Sequence, residues 1–266
     1  RRRHHPEKPE KLTPHRMLRK PPSCLFLMFI GLVFFLSACH KSTAPAPPDM
    51  GYAYFPIYTG MERHYWLDSI VYHDFDGSVD TIQYEAWDRI DTSYVDNSGQ
   101  TVFRVLRELR PLNDSTWYRD QAFTLTWLPQ RIEWQVNNLR FIPLIFPIQQ
   151  GAQWDGNAYI ESNLNPDLQY LNGWTYTYVQ VNRPGSLSGQ VFDSTVTVSE
   201  ADDSLQSSTY AFRTLSLAQY AKGVGLVYRH FIHWEQQCAS YDAQANCLSL
   251  KPRNGVEMIL RLKDTL

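Results

Sequence analysis

Catalytic signatures are what this 266-residue chain lacks most plainly. No HExxH, Walker or Rossmann run occurs, which removes the local marks of zinc peptidases, P-loop NTPases and dinucleotide enzymes. The nearest approach to a nucleophile elbow, Gly185-Ser186-Leu187-Ser188-Gly189, puts leucine where serine is needed and reads as a flexible loop. A membrane-spanning run is missing too. The apolar stretch Leu25 to Phe35 is eleven residues, about 16 Å of helix against a hydrocarbon core of about 30 Å. No long amphipathic helix follows it, so sheet must pack on sheet or curl on itself. Cysteine is scarce, at four residues. Positive charge is short beyond residue 38: residues 1–38 hold eight of the 25 Lys and Arg and two of the 27 Asp and Glu, leaving 17 against 25, near −8. A net-acidic domain has no electrostatic footprint for nucleic acid.

What is present at the start is an address. Met17-Leu18-Arg19-Lys20 is a positive segment, Leu25 to Phe35 an apolar one, and Leu36-Ser37-Ala38-Cys39 places small residues ahead of a thiol. That order predicts a lipoprotein signal, with residues 1–38 removed and Cys39 acylated. Arg1 to Arg16 precede the first methionine and show no apolar periodicity, so they are expected to lie outside the mature protein. A thioether-linked diacylglycerol plus an amide-linked chain buries dozens of methylenes at about 0.8 kcal/mol each, which makes the anchor effectively permanent. His40-Lys41 follows the cysteine with no acidic run, which favours the periplasmic face of the outer membrane. Residues 39–50 read as the lipidated cysteine and a Pro-rich tether, and 51–266 as one β-rich domain.

From Gly51 the pattern is that of strands. Phe123, Leu125 and Trp127 alternate with Thr124 and Thr126; Ile132, Trp134 and Val136 with Arg131, Glu133 and Gln135; Phe192, Val196 and Val198 with Asp193, Thr195, Thr197 and Ser199; Val256, Met258, Leu260 and Leu262 with Glu257, Arg261 and Lys263. Val102, Val105, Leu106 and Leu109 also fit a helix, but a Ser-Gly turn before them and Pro111 after them select a strand. Asp76-Gly77, Ser98-Gly99, Asp155-Gly156, Asn172-Gly173 and Asn254-Gly255 are turn signals. Ser216 to Gln219 is a capping-box pattern, and Gly223 sits where the helical turn it opens would end. The expected fold is all-β: a twisted antiparallel sheet forming a barrel, half-barrel or sandwich, with at most one or two short helices.

The run Tyr52-Ala53-Tyr54-Phe55-Pro56-Ile57-Tyr58-Thr59-Gly60, then Tyr65-Trp66-Leu67-Asp68-Ser69-Ile70, and later Tyr220-Ala221-Lys222-Gly223-Val224-Gly225-Leu226-Val227-Tyr228, resembles the small lipoproteins of Bacteroidetes-type bacteria. The resemblance is one of style over most of the chain beyond Cys39. It implies an envelope location and a single β-rich domain, and it brings no catalytic residues.

Individual residues support little chemistry. His230-Phe231-Ile232-His233 looks like a metal pair, yet residues three apart on a strand point to opposite faces. His230 falls with Leu226, Tyr228, Ile232 and Trp234 and is expected to be packed, whereas His233 falls with Arg229 and Glu235 and is expected at the surface. Asp74, Asp76 and Asp80 around Gly77 lack the spacing and the bidentate glutamate of a calcium loop and read as a hairpin turn. No metal and no cofactor are expected. Acidic residues that could pair as in glycosidases cannot be matched without distances, and Trp66, Trp127 and Trp134, on alternating strands, read as core ahead of a glycan platform. Cys238 and Cys247 bracket a polar loop between strand-like runs, and a hairpin-closing disulfide there is worth about 2–3 kcal/mol. The segment 139–148 is the least ordinary: Phe141, Ile142, Leu144, Ile145 and Phe146 crowd around Pro143 and Pro147. Those prolines forbid a central strand, so the segment is either a buried wrap across an open end of the sheet or an exposed contact site.

Three functions fit. The first is a membrane-anchored envelope lipoprotein with a non-enzymatic binding or scaffolding role toward another envelope protein. The second is a carrier or sensor of a lipid or other apolar ligand in a half-barrel, which requires an apolar cavity. The third is a hydrolase of glycan or peptidoglycan, which requires an acidic cleft beside exposed tryptophans.

Overall fold

A computed structural model describes residues 48–265. The signal segment, the lipidation site Cys39 and the tether as far as Pro47 lie outside the described residues. The alternating segments form β1 (Glu62–Tyr72), β2 (Val79–Val95), β3 (Thr101–Pro111), β4 (Tyr118–Leu128), β5 (Arg131–Val136), β6 (Leu139–Ile145), β7 (Gln153–Trp154), β8 (Tyr176–Leu187), β9 (Gln190–Gln206), β10 (Tyr210–Ala221), β11 (Gly225–Tyr241), β12 (Cys247–Leu250) and β13 (Asn254–Thr265). They make one antiparallel sheet in the order β6-β5-β4-β3-β2-β1-β13-β11-β10-β9-β8-β7, with β12 hung on β11. Three 3-10 turns, Tyr52–Tyr54, Ser162–Leu164 and Pro166–Leu171, are the helical content of the described residues.

The sheet rolls because its apolar residues share one face. Tyr65 lies opposite Ala86 on one side and Leu262 on the other. Ile90, Val105, Phe123, Leu125, Ile132 and Leu144 of β2 to β6 meet Tyr176, Tyr178, Val196, Val198, Ala218 and Tyr220 of β8 to β10 in a single cluster. A flat sheet would hold these two sets far apart; burying each large side chain, at about 1.5–3 kcal/mol, draws the halves together. Bulges at His64/Tyr65, Ile90/Thr92, Ser216/Leu217 and Gln219/Tyr220 supply the bends.

Closure of the barrel is made by separate side-chain and main-chain bonds, not by a ladder. β6 and β7 end the strand order, and Pro143 suits β6 to an edge because it has no N–H for a second ladder. Across the gap the Tyr178 hydroxyl donates to the Ile145 carbonyl at 2.7 Å and accepts from the Ile145 N–H at 2.9 Å. The Trp154 indole donates to the Ile142 carbonyl at 2.7 Å, and the Ile142 N–H donates to the Gly156 carbonyl at 2.7 Å. Gly156 must be glycine here, since a Cβ would stand 2.4 Å from the Tyr176 ring.

Two of the three runs that carry the lipoprotein resemblance, Tyr52 to Gly60 and Tyr220 to Tyr228, pack on each other at one end of the roll. Gly223 N–H donates to the Ala53 carbonyl at 2.7 Å, and Phe55 lies against Tyr220 with ring centres 6.0 Å apart. Tyr52 presents its edge to Phe146 at 4.8 Å, and the Tyr54 hydroxyl donates to Asn182.

Several expectations are corrected. Ser216 to Gln219 is strand, not helix: pairing of β10 to β9 and β11 on both sides outweighs local capping, and the Ser216 hydroxyl donates to Glu200 on the neighbouring strand instead. Gly223 accordingly turns a hairpin. Asn254-Gly255 opens β13, paired to Trp234 and Tyr72, instead of turning. Gly185 to Leu187 finish β8, leaving Ser188-Gly189, both at positive φ, as the two-residue turn into β9. Trp66 stands on the outer wall, opposite Glu85, with the Lys263 ammonium 4.6 Å above its ring; Trp127 and Trp134 pack against the core. Asp74 and Asp76 turn the β1–β2 hairpin, where Asp76 accepts from Ser78 N–H.

Candidate ligand-binding cavity

Inside the roll, between the plug residues Phe55 and Met61 and the walls of β1 to β6, β10, β11 and β13, lies a cavity of about 90 Å³. Tyr65, Ile90, Val105, Phe123, Leu125, Trp134, Tyr220, Leu226 and Leu260 make it mostly apolar, and Pro143 of the seam strand forms part of its wall. At this size it holds a few water molecules or the end of a chain, well below the roughly 300–1,000 Å³ of drug-sized sites.

Its polar lining is unusual for a barrel interior. Asp88 and Arg107 face each other across β2 and β3 and form a two-pronged pair, with both bonds at 2.6 Å. Burial works to discharge Arg107, and the Asp88 carboxylate outweighs it and keeps the guanidinium charged. Arg229 sits over the Trp134 ring at 5.0 Å and donates to Glu200 at 2.7 Å; burial opposes its charge and Glu200 restores it. Arg63 is the third cation. It is 8% exposed, and its donors reach the carbonyls of Val224 and Pro56 at 3.0 Å. It fits against the β10–β11 hairpin because residue 225 is glycine, where a Cβ would meet the guanidinium at 2.5 Å. Among the described ion pairs none involves Arg63. The indole N–H of Trp134 is buried with no partner.

Arg229 lines this cavity, and its partner Glu200 lines a wider, open cleft of about 810 Å³. Glu200, Asp202, Asp203 and Glu235 line that cleft with Tyr170, Trp174 and His233. Asp202 is paired to Arg213 at 2.6 Å, and Glu235 accepts the Tyr210 hydroxyl at 2.8 Å.

The residues singled out from the sequence are dispersed. Leu139 to Ile145 is the seam strand; Ile142, Leu144, Phe146 and Ile148 are buried, while Phe141 and Ile145 are half-buried. His230 and His233 are reversed from expectation. The extra residue Val227 shifts the alternation of β11, so His233 turns inward to stack on Tyr170 at 4.0 Å and accept or donate at Thr214, while His230 pairs with Glu257 on the outer face. Burial lowers the His233 imidazole from its ordinary value. Cys238 and Cys247 are bonded between β11 and β12. The most perturbed carboxylate sits outside the cavity. Glu85, on the outer wall, takes bonds from Lys263, Arg110 and His64; burial alone would raise it, but these hydrogen bonds and the Lys263 charge hold it down at about 2.

Sequence reasoning passed over Arg63, Arg107 and Arg229, because a charged residue in an alternating strand is read as solvent-facing. One signal was available: Arg107 and Arg229 share the parity of apolar neighbours Val105, Leu109 and Phe231.

No family model matches the chain, and no curated protein matches it. Among solved structures it is similar to a protein described as exported, with a YmcC-like fold, from Bacteroides fragilis, at 10% identity over 79% of this chain and 98% of that one, TM-score 0.37. It is also similar to a LolA superfamily protein from Nitrosomonas europaea, at 8% identity over 82% and 89% of the two chains, TM-score 0.18. A third is a DUF1329 family protein from Desulfovibrio piger, at 11% identity over 78% and 85%, TM-score 0.16.

Proposed function

We propose that this chain is a lipid-anchored envelope protein that takes a small apolar ligand, or the end of a longer one, into its barrel and serves as its carrier or sensor without catalysing a reaction. The observation that carries this reading is the mostly apolar cavity between plug and sheet. The seam is the way in: β6 is joined to β8 and to the turn at Gly156 by a handful of bonds instead of a ladder, and Pro143 belongs to both seam and cavity wall. The lipobox at Cys39 supports retention in the outer membrane, on its periplasmic side, with the lipid itself as the membrane partner. The test is binding of short-chain amphiphiles, by calorimetry without detergent, to the chain carrying Cys39→Ser. Saturable one-to-one binding that weakens when Leu125→Trp fills the cavity supports the reading; binding unaffected by that substitution, or none, refutes it.

A further inference from the structure

We propose that the ligand of this cavity carries one acidic group, a carboxylate at the end of its apolar chain, and that Arg63 and the Trp134 indole N–H receive it. The proposal rests on the reading of the cavity as a ligand site and names what that site selects. Its first support is charge. Three guanidiniums, Arg63, Arg107 and Arg229, line the cavity, while two carboxylates, Asp88 and Glu200, answer them at 2.6 and 2.7 Å. Arg63 stands opposite the same Asp88 across β1 and β2, but Asp88 bonds Arg107, and the hydrogen bonds of Arg63 go to the carbonyls of Val224 and Pro56. A buried cation without a counter-ion is costly, and an arriving anion removes that cost.

The second support is the sense of the hydrogen bonds. Each Asp88 oxygen already accepts a bond from Arg107, and the Tyr65 hydroxyl donates to the Leu226 carbonyl. The Trp134 N–H is a donor with nothing to donate to. The lining thus holds an unused buried donor beside a guanidinium, which suits a carboxylate, an acceptor alone. A guanidinium fork matches carboxylate geometry. A cavity of about 90 Å³ admits one such head or chain end and excludes a two-chain phospholipid.

Octanoate, octanol and octylamine, compared by calorimetry on the Cys39→Ser chain, test this without any change to the cavity. Octanoate is expected to bind at least about tenfold more tightly than octanol, the increment of a charged hydrogen bond, and octylamine more weakly than either. Arg63→Gln should bring octanoate and octanol to within about threefold of each other, and Trp134→Phe should remove part of the same difference. Equal affinity for octanoate and octanol, or a preference that survives Arg63→Gln, overturns the inference while leaving an apolar cavity standing. Failure of all three to bind removes the cavity reading and the inference with it.

Discussion

Tyr178→Phe isolates the seam. The ring stays, with its packing on Trp154 at 4.6 Å, and only the hydroxyl goes. Burial holds that phenol well above its usual range, so it is protonated throughout the accessible pH range and can donate. Its loss leaves the Ile145 carbonyl without a donor and the Ile145 N–H without an acceptor. Leaving a buried polar group unpaired costs about 1–3 kcal/mol. Ile145 is half-buried, which favours the lower part of that range for each group, or about 2–3 kcal/mol in all. Against a total stability of about 5–15 kcal/mol this is a large fraction. Urea unfolding should show a lower midpoint with an unchanged slope, and hydrogen exchange should show faster opening at Ile142 and Ile145 than in β1 or β13. A change below about 0.5 kcal/mol, with Ile145 exchange unaltered, would mean that the barrel is not closed by this bond.

Two further outcomes follow from the structure and one from the sequence. A depressed carboxyl stabilises the fold above its unfolded value, 4.5 for Glu85, and loses that contribution as pH falls toward the folded value of about 2; this interval corresponds to about 3 kcal/mol, so unfolding midpoints of Glu85→Gln should be lower at pH 7 and flatter between pH 4.5 and 2. Phe146→Ser should cost about 3–5 kcal/mol, because the ring is 6% exposed in the core, while Phe141→Ser, half-buried at the seam, should cost less; equal stability losses in denaturant titrations would contradict their placement, and lost binding with retained stability in Phe141→Ser would mark a contact role. Mass spectrometry of the mature N-terminus should find an acylated Cys39, and an unmodified cysteine or a retained 17–38 segment would end the envelope-anchor reading.

Much of the fold was legible because period-two alternation is a local property. β4, β5, β9 and β13 were visible in it, and Pro111 and Ser98-Gly99 resolved the ambiguous β3. What stayed hidden depends on partners distant in the chain. The capping-box residues Ser216 to Gln219 become strand because β9 and β11 flank them, and one bulge residue, Val227, exchanges the faces of His230 and His233. The cavity was hidden for the same reason. Arg63 and Trp134 line one cavity only because β1 and β5, 71 positions apart by these residues, curve around one interior. The resembling runs around Tyr54 and Gly223 were seen as separate motifs, and their role as plug and hairpin of one end needed the contact between them.

The most direct measurement is a crystal structure of the Cys39→Ser protein soaked with an ω-brominated short-chain fatty acid, read by bromine anomalous scattering. One bound molecule is expected inside the barrel, its carboxylate on Arg63 and Trp134 and its bromine toward the apolar wall formed by Phe123, Leu125 and Pro143. Anomalous density in the outer cleft beside Tyr170 and Trp174, with the interior unchanged, would contradict it.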